Sequence, residues 1–147
     1  MNATTIMSDR ITVLPRTLVN QLLTQAQQSP EREVCGLVSS RDGRPVKVYP
    51  VTNVATEPGR LFQMDPEGLI EAMRNMRERG EELFAIYHSH PHGPAAPSAT
   101  DLREAQYPDA LYLIVSLDTK GVLEMRGYRL EGETPREVVL DVVVNPL

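Results

Sequence analysis

The chain has 147 residues, 41% hydrophobic and 24% charged, which fits one globular domain able to bury a core without disulfides or structural metals. A formal net charge of -5 and the lack of a long basic run disfavour a protein that grips a nucleic-acid backbone. The single cysteine, Cys35, excludes an intrachain disulfide and suits a reducing compartment. The opening MNATTIMSDR lacks a signal peptide's basic start and apolar run, and no stretch approaches the roughly 20 apolar residues of a membrane span, so a soluble cytoplasmic protein is expected.

Residues 1–9 carry no pattern and are expected to be a flexible N-terminus ahead of a domain at 10–147. Ile11–Leu14 reads as a short strand. Pro15 then opens a helix whose apolar stripe is Leu18, Leu22, Leu23 and Ala26, ended by Ser29-Pro30. Val34–Val38 and Val46–Val51 read as strands joined by the turn Arg41-Asp42-Gly43-Arg44, a hairpin pattern. Leu61–Met64 reads as a further short strand. Asp65-Pro66 starts a second helix, with Leu69, Met73 and Met76 on its core side and Gly80 as its stop. The charges across 71–82 read as that helix's solvated face.

Leu83–Tyr87 is a strand that runs directly into His88-Ser89-His90-Pro91. A Pro/Gly/Ala loop follows, and Ser98 opens a short helix to about Gln106. Leu111–Leu117 is the most apolar segment and is expected to be the central strand. Asp118-Thr119-Lys120-Gly121 is a turn, and Val122–Leu130 and Glu137–Val144 close the domain as strands. Three helices and a mixed order of strands imply an α/β domain, with helices packed on a curved sheet.

All three histidines fall within five residues, at 88, 90 and 92. On extended backbone, residues i and i+2 share a face, so His88 and His90 can converge on one metal ion. Asp101, eleven residues after His90, can be brought back to the same point. Two imidazoles and one carboxylate match catalytic zinc, which keeps a fourth position open. A base is also needed, and Glu33, leading into the apolar Val34–Val38 run, is a candidate; spacing alone does not choose it over Glu31. Bland readings compete. A lone histidine at a strand end is ordinarily structural, and Ser98-Ala99-Thr100-Asp101 has the form of a helix-capping box. Cys35 fits a small buried hydrophobe better than a nucleophile.

His88-Ser89-His90, seven residues, Ser98, two residues and Asp101 form a pattern that resembles the JAMM (MPN-plus) metalloproteases. Glu33-Val34-Cys35-Gly36-Leu37 is similar to the family's glutamate-bearing segment, and the resemblance spans roughly residues 11–117. It implies a single-domain JAMM/MPN α/β fold related to cytidine deaminases. It implies zinc (Zn2+) on His88, His90 and Asp101, with Glu33 as the base that takes and returns the proton. Ser98 would be the oxyanion donor and Ser89 a structural hydrogen-bonder. His92 departs from the pattern as a third imidazole, expected at the cleft mouth.

The resemblance further implies an amide-bond hydrolase acting at the tail of a ubiquitin-like protein. The shortness of this chain favours a β-grasp sulfur carrier as the substrate. Two other readings compete. One is a catalytically silent MPN scaffold, which ordinarily lacks ligands that this chain has. The other is a DNA-repair-associated relative, disfavoured by the Glu33 segment and the acidic charge.

Overall fold

The computed structural model describes residues 11–118, 123–130 and 134–144. Along the chain lie β1 (Ile11–Pro15), α1 (Arg16–Gln28), β2 (Cys35–Arg41), β3 (Arg44–Val51) and α2 (Pro66–Glu78). Then come β4 (Glu82–His90), α3 (Ala99–Glu104), β5 (Leu111–Ser116), β6 (Glu124–Arg129) and β7 (Arg136–Val143). The strands form one mixed sheet in the order β1-β7-β6-β5-β4-β2-β3, so β5 is central, as its apolar sequence requires. The expected turn at 118–121 lies largely outside the described residues, as do residues 1–9 and the start of the strand expected from Val122.

Both faces of the sheet are covered. Leu111 and Leu113 of β5 pack with Ala85, Tyr87 and, from α1, Leu18 and Leu22. The alternate residues Tyr112 and Ile114 pack on the other face with Leu37, Ile86 and, from α2, Ala72 and Met76. This alternation is the two-residue period of a strand, read on both faces at once. In α1, Val19 joins the buried set while Leu23 is only partly buried, a small rotation from the expected stripe.

Local chemistry sets the boundaries. Asp42 and Gly43 between β2 and β3 both have positive φ, 54° and 78°, the backbone that a two-residue hairpin of the right twist requires. The Asp65 carboxylate accepts from Gly68 N–H at 3.3 Å, and Pro66 follows at the first helical position. Gly80, at φ 70°, lets the chain leave α2.

Two expectations are corrected. Leu61–Met64 forms only one isolated bridge, Met64 to Asn53, not a strand. The Asn53 side chain takes the main-chain groups of Leu61 and Gln63 that a neighbouring strand would have paired. Glu81, placed by sequence on a solvated face, is buried. Its carboxylate accepts from Tyr49 OH at 2.6 Å, Ser39 Oγ at 2.8 Å, Arg79 Nε at 3.0 Å and Arg41 Nη2 at 3.2 Å. Burial pushes this carboxyl up, but the bonds from Tyr49, Ser39 and Arg79 outweigh it and hold the pKa at about 2.

A depressed folded pKa adds stability above the ordinary value of 4.5, and that stability is lost as pH falls toward about 2. Urea unfolding should therefore show Glu81→Gln destabilised by about 2–4 kcal/mol at pH 7. The gap to the unsubstituted protein should narrow at pH 3. An equal gap at both pH values would contradict the assignment.

Candidate active site

The site forms where the start of β2 meets the end of β4. Cys35 stands opposite His88 in the antiparallel register. Just before β2, Val34 N–H donates to Ser89 Oγ at 2.8 Å and Ser89 N–H donates to Val34 O at 3.0 Å. The pairing therefore continues outward and sets Glu33 across from His90. By the same period, Ile86, His88 and His90 share one face of β4, and Glu33, Cys35 and Leu37 share that face in and just before β2. β4 runs through both histidines because β5 supports it, with His88 beside Ile114 and His90 beside Ser116.

The loop after His90 is tied down. His90 Nδ1 donates to Pro94 O at 2.7 Å, Ser116 Oγ donates to Gly93 O at 2.7 Å, and Tyr128 OH donates to Ala95 O at 2.7 Å. These bonds deliver Ser98 and α3. There Ser98 Oγ accepts from Asp101 N–H at 3.0 Å, and Ser98 N–H donates to Asp101 Oδ2 at 2.8 Å. The helix cap and the cluster coexist, because the capping box has two bonds: one caps the helix at Asp101 N–H and the other holds the Asp101 carboxylate on Ser98 N–H.

Three atoms converge. His88 Nε2 and His90 Nε2 are 3.1 Å apart, and each lies near Asp101 Oδ2, at 3.1 and 3.2 Å. His90 spends its Nδ1 proton on Pro94, so its Nε2 presents a lone pair in the neutral ring. A tetrahedral ion with bonds near 2.0–2.1 Å sets its ligand atoms about 3.3 Å apart. The observed triangle therefore fits one zinc-sized cation. A Glu33 carboxylate oxygen and nitrogens of both rings also lie within 4.8 Å of one another, a looser set. The triangle that includes Asp101 is the tighter of the two sets that could hold a metal, and Glu33 lies beside it.

Electrostatics divide the two carboxylates. Burial opposes the Asp101 charge, but the facing His88 and His90 rings, when they carry a proton on Nε2, and the bond from Ser98 N–H hold its pKa far below the usual range. Burial pushes Glu33 up to about 7, resisted by His90 and reinforced by Asp101. Its Oε1 is buried without a hydrogen-bond partner among the described residues. Burial likewise lowers His88; for His90 it is outweighed by the bonds to Asp101 and Pro94, which raise the pKa.

Glu31 does not reach the cluster. It is exposed and lies 3.7 Å from the exposed His92, so neither joins the converging atoms. Cys35 is buried, with its thiol donating to Val51 O at 3.3 Å. Burial, and then the nearby Glu33, push that thiol up to about 12, which leaves no thiolate for nucleophilic attack. Gly36 permits the close strand contact here: a Cβ would come within 2.5 Å of Tyr49 O and Tyr87 OH.

Two residues escaped the sequence reading. Phe62 stacks on His88 with ring centroids 4.4 Å apart. Asn53 spends its whole amide: Nδ2 donates to Glu33 O and Leu61 O at 2.9 Å, and Oδ1 accepts from Ala55 N–H and Gln63 N–H at 3.0 Å. Glu33 N–H donates to Pro58 O at 2.6 Å, so the 53–64 segment clamps the main chain of Glu33. No sequence signal marks Asn53; Phe62 stood out only as one of two phenylalanines. Between this segment and α3 runs a groove of about 550 Å³, lined by Phe62, Leu69, Ile86 and Tyr112 and reaching His88 and Asp101.

The family described as prokaryotic homologs of the JAB domain matches residues 15–130. A desampylase from Haloferax volcanii is 36% identical over 119 residues, covering 80% of this chain and 83% of its own. A CysO-cysteine peptidase from Mycobacterium tuberculosis is 32% identical over 135 residues, covering 90% and 92%. The solution structure of a Desulfitobacterium hafniense protein aligns with TM-score 0.81 and 32% identity, over 92% of this chain and 94% of that one. A JAB1/MPN domain protein from Archaeoglobus fulgidus shares the fold, with TM-score 0.57 and 20% identity over 90% and 97%.

Replacing Asn53 with Ala would strand four main-chain groups at once. Chemical denaturation should find Asn53→Ala destabilised by about 2–4 kcal/mol. A change below about 0.5 kcal/mol, the scale of an ordinary surface substitution, would contradict the clamp.

Proposed function

The chain belongs to the family of prokaryotic JAB-domain homologs, JAMM-type hydrolases of peptide or isopeptide bonds, and we propose that it works as a zinc enzyme through His88, His90 and Asp101. The observation that carries this reading is the triangle of Nε2, Nε2 and Oδ2 atoms 3.1–3.2 Å apart, beside the unpartnered Glu33 oxygen. Zinc held there would supply Lewis acidity, polarising the scissile carbonyl and acidifying a water.

The remaining steps belong to the protein. Glu33 accepts a proton from the attacking water, whose oxygen adds to the carbonyl carbon. Glu33, buried beside the two histidines with one oxygen that no protein group among the described residues holds, is placed to take and return that proton. The Ser98 hydroxyl donates a hydrogen bond to the developing oxyanion; its Oγ accepts from Asp101 N–H, which leaves its own hydrogen to give. Glu33 then passes its proton to the leaving nitrogen as the C–N bond breaks, yielding a carboxylic acid and an amine.

The substrate is the C-terminal tail of a ubiquitin-like protein, of the β-grasp sulfur-carrier kind. The names of the relatives support this choice: a desampylase, a CysO-cysteine peptidase, and a probable TtuB-protein conjugate cleaving protease from Thermus thermophilus. The groove supports it as well, since a space of about 550 Å³ adjoins His88 and Asp101.

Incubation with carriers bearing C-terminal extensions, read by mass spectrometry, tests the reading. The unsubstituted protein should cut at the end of the carrier's tail. Glu33→Gln should retain about one zinc per chain while its rate falls roughly 10²–10⁴-fold. Zinc bound but no carrier cut would favour a silent binding scaffold. Turnover retained in Glu33→Gln would remove Glu33 from the mechanism.

A further inference from the structure

We propose that Phe62 is a positioning residue for the metal site, its ring holding His88 in the orientation that a hydrogen bond provides for His90. The inference rests on the reading of His88 as a ligand. An imidazole that ligates through Nε2 is normally oriented by an acceptor for its Nδ1–H. His90 has one, Pro94 O at 2.7 Å. His88 Nδ1 is buried and has no partner among the described residues. The ring is 1% exposed, so solvent does not supply one freely. Rotation of His88 about its Cβ–Cγ bond must therefore be restrained by packing.

Phe62 is placed to do this. The two rings stack with centroids 4.4 Å apart and planes 24° apart. A stacked neighbour fixes the plane of an imidazole while leaving its in-plane nitrogens uncovered. His90 meets His88 edge-on instead, at 4.8 Å and 63°. Phe62 is itself held from both sides. Leu61 C=O and Gln63 N–H both bond to the Asn53 side chain, and Gln63 C=O accepts from Val54 N–H at 2.8 Å. Phe62 belongs to neither apolar core of the sheet, so its large side chain is not explained by core packing. The only ring stacked on it among the described residues is that of His88.

The test is zinc affinity, measured by competition with a chromophoric chelator, for the unsubstituted protein and for Phe62→Ala, Phe62→Leu and Phe62→Tyr. Phe62→Ala and Phe62→Leu should weaken zinc binding about ten-fold or more, the scale seen when a ligand's orienting partner is lost, whereas Phe62→Tyr should stay within about three-fold. Melting temperatures of the metal-free proteins should agree closely, because Phe62 lies outside both cores. If Phe62→Ala and Phe62→Leu bind zinc like the unsubstituted protein and only KM for the carrier rises, Phe62 is merely groove wall and the proposal is overturned with the ligand set intact. If the unsubstituted protein binds no zinc, the ligand reading falls and this proposal falls with it.

Discussion

Two hydrogen bonds between Val34 and Ser89 hold the start of β2 against the end of β4, and the site depends on that seam. One is a main-chain bond; the other uses the fully buried Ser89 hydroxyl as a substitute acceptor. Together they prolong the register that sets Cys35 opposite His88. A slip of one residue would turn Glu33 to the other face of the sheet, because strand side chains alternate. Gly36 lets the seam close beside Tyr87, and β5 keeps β4 extended through both histidines. The chemistry of the site is thus a consequence of strand pairing before it is a property of any one side chain.

Much of this was legible in the residues. The Asp42-Gly43 hairpin, the Asp65-Pro66 helix start and the apolar Leu111–Leu117 strand carry local signals, and the structure has each of them. A period-two strand and a loop short enough to fold back permit the convergence of His88, His90 and Asp101 without requiring it. The choice between Glu31 and Glu33 was not local: both precede the same strand, and only the pairing with β4 separates an exposed residue from a buried one. Leu61–Met64 is not a strand because the Asn53 side chain, which has no periodic signature, takes two of the main-chain groups that a strand partner would pair. The burial of Glu81 has no local signal because three of its four partners, Ser39, Arg41 and Tyr49, lie 32 to 42 residues upstream.

Two buried carboxylates, Glu81 and Glu33, show how environment assigns roles. Glu81 is surrounded by donors and stays charged well below its ordinary range. Glu33 is comparably buried, yet one of its oxygens lacks a partner and its pKa is pushed up to about 7. An unsatisfied buried polar atom costs on the order of 1–3 kcal/mol. The 53–64 segment clamps the Glu33 main chain on both its N–H and its C=O, which keeps the unsatisfied side chain in place. The hydrogen bonds of that segment offset part of the cost of that unsatisfied oxygen.

The central claim is that three atoms on β4 and α3 hold one metal ion. Crystals grown with zinc, measured on both sides of the zinc absorption edge, test it most directly. The account predicts one strong anomalous peak lying between His88 Nε2, His90 Nε2 and Asp101 Oδ2, with Glu33 beside it and not bonded to it. A peak bonded to Glu33 in place of Asp101, or one at Glu31 and His92, would contradict the account.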